Sequence, residues 1–147
     1  RLRLVGKPHV GHAARQRASQ DRGVKETLDF FYRNSVPMGI CTNKRQFVTE
    51  KLIDQMNLKI FFNVIVGARD SIPLKPQPDM LQLAMSQFNT TKTSFLMVGD
   101  TINDIASAKA AHIESVAIAG GYTDVDVKTL NADYTLDNMR DIISLFK

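Results

Sequence analysis

An α/β domain with a mainly parallel sheet is predicted by two observations. Short apolar runs alternate with helix-periodic segments from about residue 24 onward. Several of those runs close on a residue suited to a sharp departure or a ligand contact: Thr42, Gly67, Asp100 and Gly120. Alternation of this kind gives parallel strands joined by right-handed crossovers, which place every strand's carboxyl end on one edge. The expected architecture is a Rossmann-like three-layer α/β/α sandwich, with its ligand site at that edge.

Each element has its own signal. Val24–Asn34 reads as a helix, with Val24, Leu28, Phe31 and Tyr32 on one side. Val36–Thr42 reads as a buried strand, and Arg45–Met56 as a helix striped by Phe47, Val48, Leu52, Ile53 and Met56. Phe62–Val66 is a strand ending at Gly67, and Ala68–Gln77 is a loop stiffened by Pro73 and Pro76. Pro78–Phe88 is a helix with Met80, Leu81, Leu83, Ala84 and Phe88 inward. Ser94–Val98 is a strand, Thr101–Ala111 a helix, and Ser115–Ala119 a strand before Gly120-Gly121. Val125–Leu130 suits a short helix opened by Asp124-Val-Asp126, Ala132–Leu136 a short strand, and Asp137–Phe146 a last helix.

A length of 147 residues suits one domain with its own core. The net charge of +4 invites a nucleic-acid reading, but the charge is local. Residues 1–22 carry six Lys/Arg against one acid, Asp21, while the remaining 125 residues carry 13 basic and 14 acidic side chains. The rest of the chain has no basic stripe for phosphate backbones, so no nucleic-acid partner is expected. Its apolar runs are too short to span a bilayer, so no membrane partner is expected. The lone Cys41 excludes an internal disulfide and fits a reducing, cytoplasmic setting. The three histidines lack ligand spacing. The oligomeric state is not readable. Residues 1–22 show no clear period and are expected to be an irregular, disordered or non-native basic segment, with the domain beginning at Gly23. A fragment edge explains them better than an organelle presequence.

Three stretches carry chemistry. In Cys41-Thr42-Asn43-Lys44 a strand ends in a hydroxyl where a helix begins, a suitable cradle for a phosphate. Thr42 or Asn43 as a plain helix N-cap explains the same residues. In Lys75-Pro76-Gln77-Pro78-Asp79 prolines stiffen a loop that could aim an ammonium at a phosphate. An exposed loop lysine is the plainer alternative. In Gly99-Asp100-Thr101-Ile102-Asn103-Asp104 two carboxylates stand four residues apart at a strand end and could share a hard cation. A capping box from Thr101 to Asp104 explains the second acid but not the first.

Taken together, these stretches resemble the haloacid dehalogenase-like hydrolase superfamily, most closely its phosphoglycolate phosphatase-like branch. The likeness spans roughly Gly23 to Lys147 and includes Gly120-Gly121-Tyr122 and Ala132-Asp133-Tyr134. It implies a Mg²⁺-dependent phosphatase acting on a small phosphorylated metabolite through an aspartyl-phosphate. By resemblance, Thr42, Asn43 through its backbone N–H, and Lys75 would bind the phosphoryl group. Lys75 and Asp104 would serve catalysis, and Asp100 and Asp104 the metal.

The resemblance also implies a central first strand ending in Asp-x-Asp-x-Thr, followed by a helical cap. Neither is visible upstream of Thr42, where the only acids are Asp21, Glu26 and Asp29. The nucleophile strand and cap are therefore expected to be missing, leaving a gap in the sheet. Arg1-Leu2-Arg3-Leu4-Val5 could fill that gap only by burying guanidinium groups, at several kcal/mol each if unpaired. Three readings remain: a phosphatase altered at its amino end and inactive as it stands, a catalytically dead binding or regulatory module, and a bare phosphate- or nucleotide-binding domain.

Overall fold

The computed structural model describes residues 2–6, 14–89, 94–119 and 125–146, with side chains from Gly23 onward. In chain order the regular elements are β1 (Leu2–Gly6), α1 (Ala14–Arg33), β2 (Met38–Arg45), α2 (Gln46–Gln55), β3 (Val64–Ala68) and α3 (Asp79–Ser86). They continue with β4 (Ser94–Gly99), α4 (Ile102–Ala110), β5 (Glu114–Ile118) and β6 (Tyr134–Leu136). Short 3₁₀ segments span Lys59–Phe61, Val127–Leu130 and Met139–Phe146.

The six strands form one sheet in the order β3-β2-β1-β4-β5-β6, and every pairing is parallel. The order reverses between β1 and β4, the switch point where open sheets of this kind hold ligands. Alternate residues of β4 divide the core between the two faces. Leu96 and Val98 pack with Phe31 of α1 and Ile142 of the carboxyl-terminal segment. Met97 packs with Cys41, Val66, Met80, Leu81 and Ala84 under α3, and with Ala108 of α4. The expected three-layer α/β/α arrangement is the one observed.

One expectation about the amino terminus is overturned. The sheet has no gap: β1 lies between β2 and β4 and is bonded to both. Burial of the Arg3 guanidinium is costly only at a mid-sheet position, and the register puts Arg3 elsewhere. Arg3 pairs with Phe95 at the amino-terminal end of β4, beside exposed Ser94, and β2 begins pairing only at Leu4. The arginine thus sits at the sheet's rim, and Leu4-Val5-Gly6 occupy the two-sided interior. Nor are residues 14–22 irregular, since α1 runs from Ala14 to Arg33.

Other boundaries moved for local reasons. β2 continues to Arg45, past a register shift between Cys41 and Arg45, so α2 begins later than its apolar pattern suggested. Its buried line is Thr49 and Ile53, one turn apart. Phe47, expected inward, is 71% exposed, and Met56 is exposed as well. The last segment is 3₁₀ rather than α, which stacks Met139 and Ile142 on one side against the α1 face. Asp126 caps the Val127–Leu130 turn by accepting from the Lys128 N–H. Asp124 and Gly120–Tyr122 lie outside the described residues.

Two glycines respond to opposite constraints. A Cβ on Gly67 would lie 2.6 Å from the Gln46 Cα and 2.8 Å from its N, because the start of α2 crosses β3 there. A Cβ on Gly23 would meet only the Asn138 side-chain oxygen, 2.8 Å away, which can turn aside. Gly67→Ala should therefore cost about 1–3 kcal/mol in urea denaturation. Gly23→Ala should be nearly neutral, because relief of about 1 kcal/mol of helix propensity offsets the contact. Equal effects would contradict the close approach at Gly67.

Candidate active site

Register brings the candidate residues together. Gly6, the last residue of β1, pairs with Ile40 on one side and Val98 on the other. Thr42 and Asp100 each lie two residues beyond those pairs, so they stand at the same level on either side of the line of β1. Two strand spacings separate them, about 10 Å. That is room for a phosphoryl group and a hydrated ion. Thr42 is 3% exposed and Asp100 is fully buried.

Lys75 closes the site from the third side. Its loop carries it under the sheet edge, where it is 4% exposed, which rules out the exposed-lysine alternative. Its Nζ donates to the Cys41 carbonyl at 2.8 Å and to Asp104 Oδ1 at 2.5 Å. One ammonium thus spans the end of β2 and the first turn of α4. Hydroxyl, ammonium and paired acids converge on one edge, as the motifs predict.

Asp104 uses both of its carboxylate oxygens. Its Oδ2 accepts from the Asp100 N–H (3.2 Å), the Thr101 N–H (3.1 Å) and the Thr101 hydroxyl (2.8 Å). Thr101 Oγ1 accepts in return from the Asp104 N–H, completing a capping box. The capping alternative for Asp104 therefore holds, and the ion pair to Lys75 is added to it. Burial pushes the Asp104 carboxyl up, but the Lys75 charge and the hydrogen bonds from Lys75, Thr101 and Asp100 outweigh it. The result is a group held below the usual carboxylate range. Gly99 is required here, since a Cβ on it would lie 2.3 Å from the Asp104 Cβ.

The capping alternative for Thr42 and Asn43 does not hold. Arg45 is the residue before α2, and no side chain caps that helix. The Thr42 hydroxyl accepts only a local bond from the Lys44 N–H, at 3.3 Å. The Asn43 side chain turns to the Lys75 loop: Nδ2 donates to the Lys75 carbonyl and Oδ1 accepts from the Lys75 N–H, each at 3.0 Å. Two participants were not legible in advance. The Cys41 carbonyl is a backbone group and leaves no mark in sequence. The Asn43 amide could have been suspected from its matched donor and acceptor at a strand end.

The donor set admits a hard cation in a restricted way. Asp100 offers a buried carboxylate at the switch point, whereas the Asp104 oxygens already receive Lys75, Thr101 and the Asp100 N–H. Among the described residues no three His, Cys, Asp or Glu side chains cluster as a ready-made cage. Mg²⁺ commonly binds through one or two carboxylates, with waters and a phosphate completing its shell, so this arrangement suits it. A cavity of about 580 Å³ lined by Tyr32, Pro37, Ile60 and Phe61, among others, lies at the amino-terminal edge, on the wrong side of the sheet for this chemistry.

An open, doubly wound α/β domain with a charged crevice at its switch point is thus defined. Residues 7–118 match the profile of the haloacid dehalogenase-like hydrolases, and the chain belongs to that family. It is 35% identical over 127 residues to phosphoglycolate phosphatase of Photobacterium profundum, covering 85% of this chain and 55% of that protein. It is 30% identical over 143 residues to phosphoglycolate phosphatase of Salmonella typhi, covering 97% and 57%. That second match extends into the first 22 residues. A crystal structure of a HAD-superfamily hydrolase from Geobacter sulfurreducens superposes with a TM-score of 0.69 at 28% identity, covering 84% of this chain and 58% of that one. The chain spans a little over half the length of the relatives it matches.

Two predictions follow from the bonding. Asp104→Ala leaves a buried ammonium with only the Cys41 carbonyl and should cost about 3–5 kcal/mol in denaturant unfolding. Lys75→Met leaves Asp104 its three capping donors and should cost clearly less, about 1–3 kcal/mol; the reverse order would contradict the assigned network. For Cys41, burial pushes the thiol up to about 11, with Lys75 opposing and Asp104 reinforcing the shift. Folding therefore favours the neutral thiol, a contribution complete below the ordinary thiol range and lost as pH rises toward 11. A disulfide reagent at pH 8 should modify Cys41 at least tenfold more slowly in the folded chain than in urea, with the difference narrowing toward pH 11.

Proposed function

We propose that the crevice between Thr42, Lys75 and Asp100 binds the phosphoryl group of a small phosphorylated metabolite together with Mg²⁺, as a site for phosphomonoester hydrolysis of the phosphoglycolate phosphatase type. The observation that carries this reading is the Lys75 ammonium fixed between β2 and α4, with Thr42 and Asp100 level on either side of the switch point. The names of the relatives support the phosphoglycolate-like substrate class. The single buried Cys41 supports a reducing, cytoplasmic setting. Among the described residues no helix is long and apolar enough to cross a membrane.

The Thr42 hydroxyl and the Asn43 N–H, at the carboxyl end of β2, are the groups that would donate to phosphoryl oxygens. Lys75 neutralises phosphate charge without losing its own bond to Asp104. Asp100 is the residue to hold Mg²⁺, which when bound would draw charge off the phosphoryl oxygens. Asp104 acts on that site from behind, by orienting Lys75 and the backbone of Asp100.

Attack on phosphorus needs a nucleophile, and the central strand does not supply one here. β1 occupies the place the family gives to its nucleophile strand, yet Gly6 is followed by Lys7-Pro8, and the first acid of the chain is Asp21 in α1. This favours a second reading for the chain as it stands: a phosphate-binding module without turnover. Calorimetric titration with inorganic phosphate, with and without Mg²⁺, tests both. Mg²⁺-dependent binding is expected, weakened about tenfold or more by Lys75→Met or Asp100→Asn, as loss of a charge-assisted bond implies. Hydrolysis of a generic phosphate ester is expected to stay at background. Absence of binding would remove the site assignment, and robust turnover lost in Asp100→Ala would refute the inactivity.

A further inference from the structure

We propose that the Asn43 side-chain amide is the positioning group for Lys75, a clip that makes the ammonium's place a property of β2 rather than of the loop. The role of Lys75 toward phosphate rests on the function proposed above; the clip itself does not. Asn43 pairs with both backbone polar groups of Lys75, donating to its carbonyl and accepting from its N–H, each at 3.0 Å, across 32 residues of sequence. The Lys75 head then returns to the Cys41 carbonyl at 2.8 Å. Both ends of this residue are therefore anchored in Cys41–Asn43, the three residues that also contain Thr42.

The chemistry selects asparagine. A lysine side chain has four rotatable bonds, so a bond at Nζ alone leaves the base of the residue free to wander. Fixing the base requires one donor and one acceptor, to meet the C=O and the N–H that flank the Lys75 Cα. The carboxamide has both, whereas an aspartate can only accept. The amide is not otherwise committed: α2 starts after Arg45 and takes no side-chain cap. With the clip closed, hydroxyl and ammonium move as one unit with the strand.

The test measures the protection of Lys75 from an amine-acylating reagent by mass spectrometry, below the unfolding midpoint of every variant, with exposed Lys51 and Lys109 as internal references. Lys75 should be protected in the parent chain. Asn43→Ala should raise its labelling rate tenfold or more, and Asn43→Asp, which keeps only the acceptor, should raise it by less. The control is Asn63→Ala. Asn63 Oδ1 accepts from the Met38 N–H at 3.1 Å, so it makes the same kind of bond to the same strand at the opposite edge. It should leave Lys75 protected. Should Asn43→Ala fail to fold, the Asn43→Asp rate decides alone. The clip is overturned if Lys75 stays as protected in the Asn43 variants as in the parent, or if Asn63→Ala exposes it equally. An inorganic phosphate titration of the same proteins separates the two proposals. Phosphate binding in the parent with Lys75 still protected in Asn43→Ala sinks the clip alone. Exposure of Lys75 in Asn43→Ala with no phosphate binding in the parent sinks the functional reading and upholds the clip.

Discussion

The buried ammonium of Lys75 joins the Cys41 carbonyl at the end of β2 to the Asp104 carboxylate in the first turn of α4. Neither charge could stay in so dry a place alone, since an unpaired ion there costs several kcal/mol. The pair is held because each partner has further bonds: Asp104 through the capping box and the Asp100 N–H, the Lys75 ammonium through the Cys41 carbonyl, with the Lys75 backbone fixed by the Asn43 amide. The same bonds that satisfy these groups also fix the edge of the sheet. Gly99 belongs to this arrangement as much as the charges do, because no larger residue lets Asp104 come so close to the β4 backbone. Groups satisfied in this way are held in place by the fold itself.

The second constraint is the sheet itself. Thr42 lies in β2 and Asp100 just past the end of β4, two strands that do not touch; β1 lies between them and sets their separation. A basic amino-terminal segment performs that role here with Leu4, Val5 and Gly6 at mid-sheet and Arg3 at the rim. The strand supplies hydrogen bonds and spacing to the crevice and is followed by no acid before Asp21. Strand pairing and chemistry are thus separable in this chain: β1 joins β2 to β4 and is followed in sequence by Lys7-Pro8 rather than by a carboxylate.

Much of this was legible in the residues, and the failures are instructive. The Thr42, Lys75 and Asp100 stretches were readable because each sits where a buried strand or a proline-stiffened loop gives way, a local signal. The β1 strand is not legible from charge, because charge carries no register: alternating Arg and Leu looks prohibitive at the centre of a sheet and is acceptable at its end. The α1 start at Ala14 is hidden because polar residues precede its apolar stripe, so periodicity marks only the half from Val24. Phe47 is exposed although its pattern points inward, because β2 runs on to Arg45 and α2 starts only at Gln46. The Cys41 carbonyl and the two-point Asn43 pairing are contacts between distant segments, and no local pattern encodes them.

The account depends on Lys75 and Asp104 acting as a single unit inside the fold, and a double-mutant cycle measures this most directly. Urea unfolding of the parent, Lys75→Met, Asp104→Asn and the double variant gives their coupling free energy. A coupling of about 2 kcal/mol or more is predicted, with the double variant more stable than the sum of its singles implies. Additive losses, with coupling near zero, would mean that the two charges do not depend on each other, and the organised crevice inferred from them would not exist.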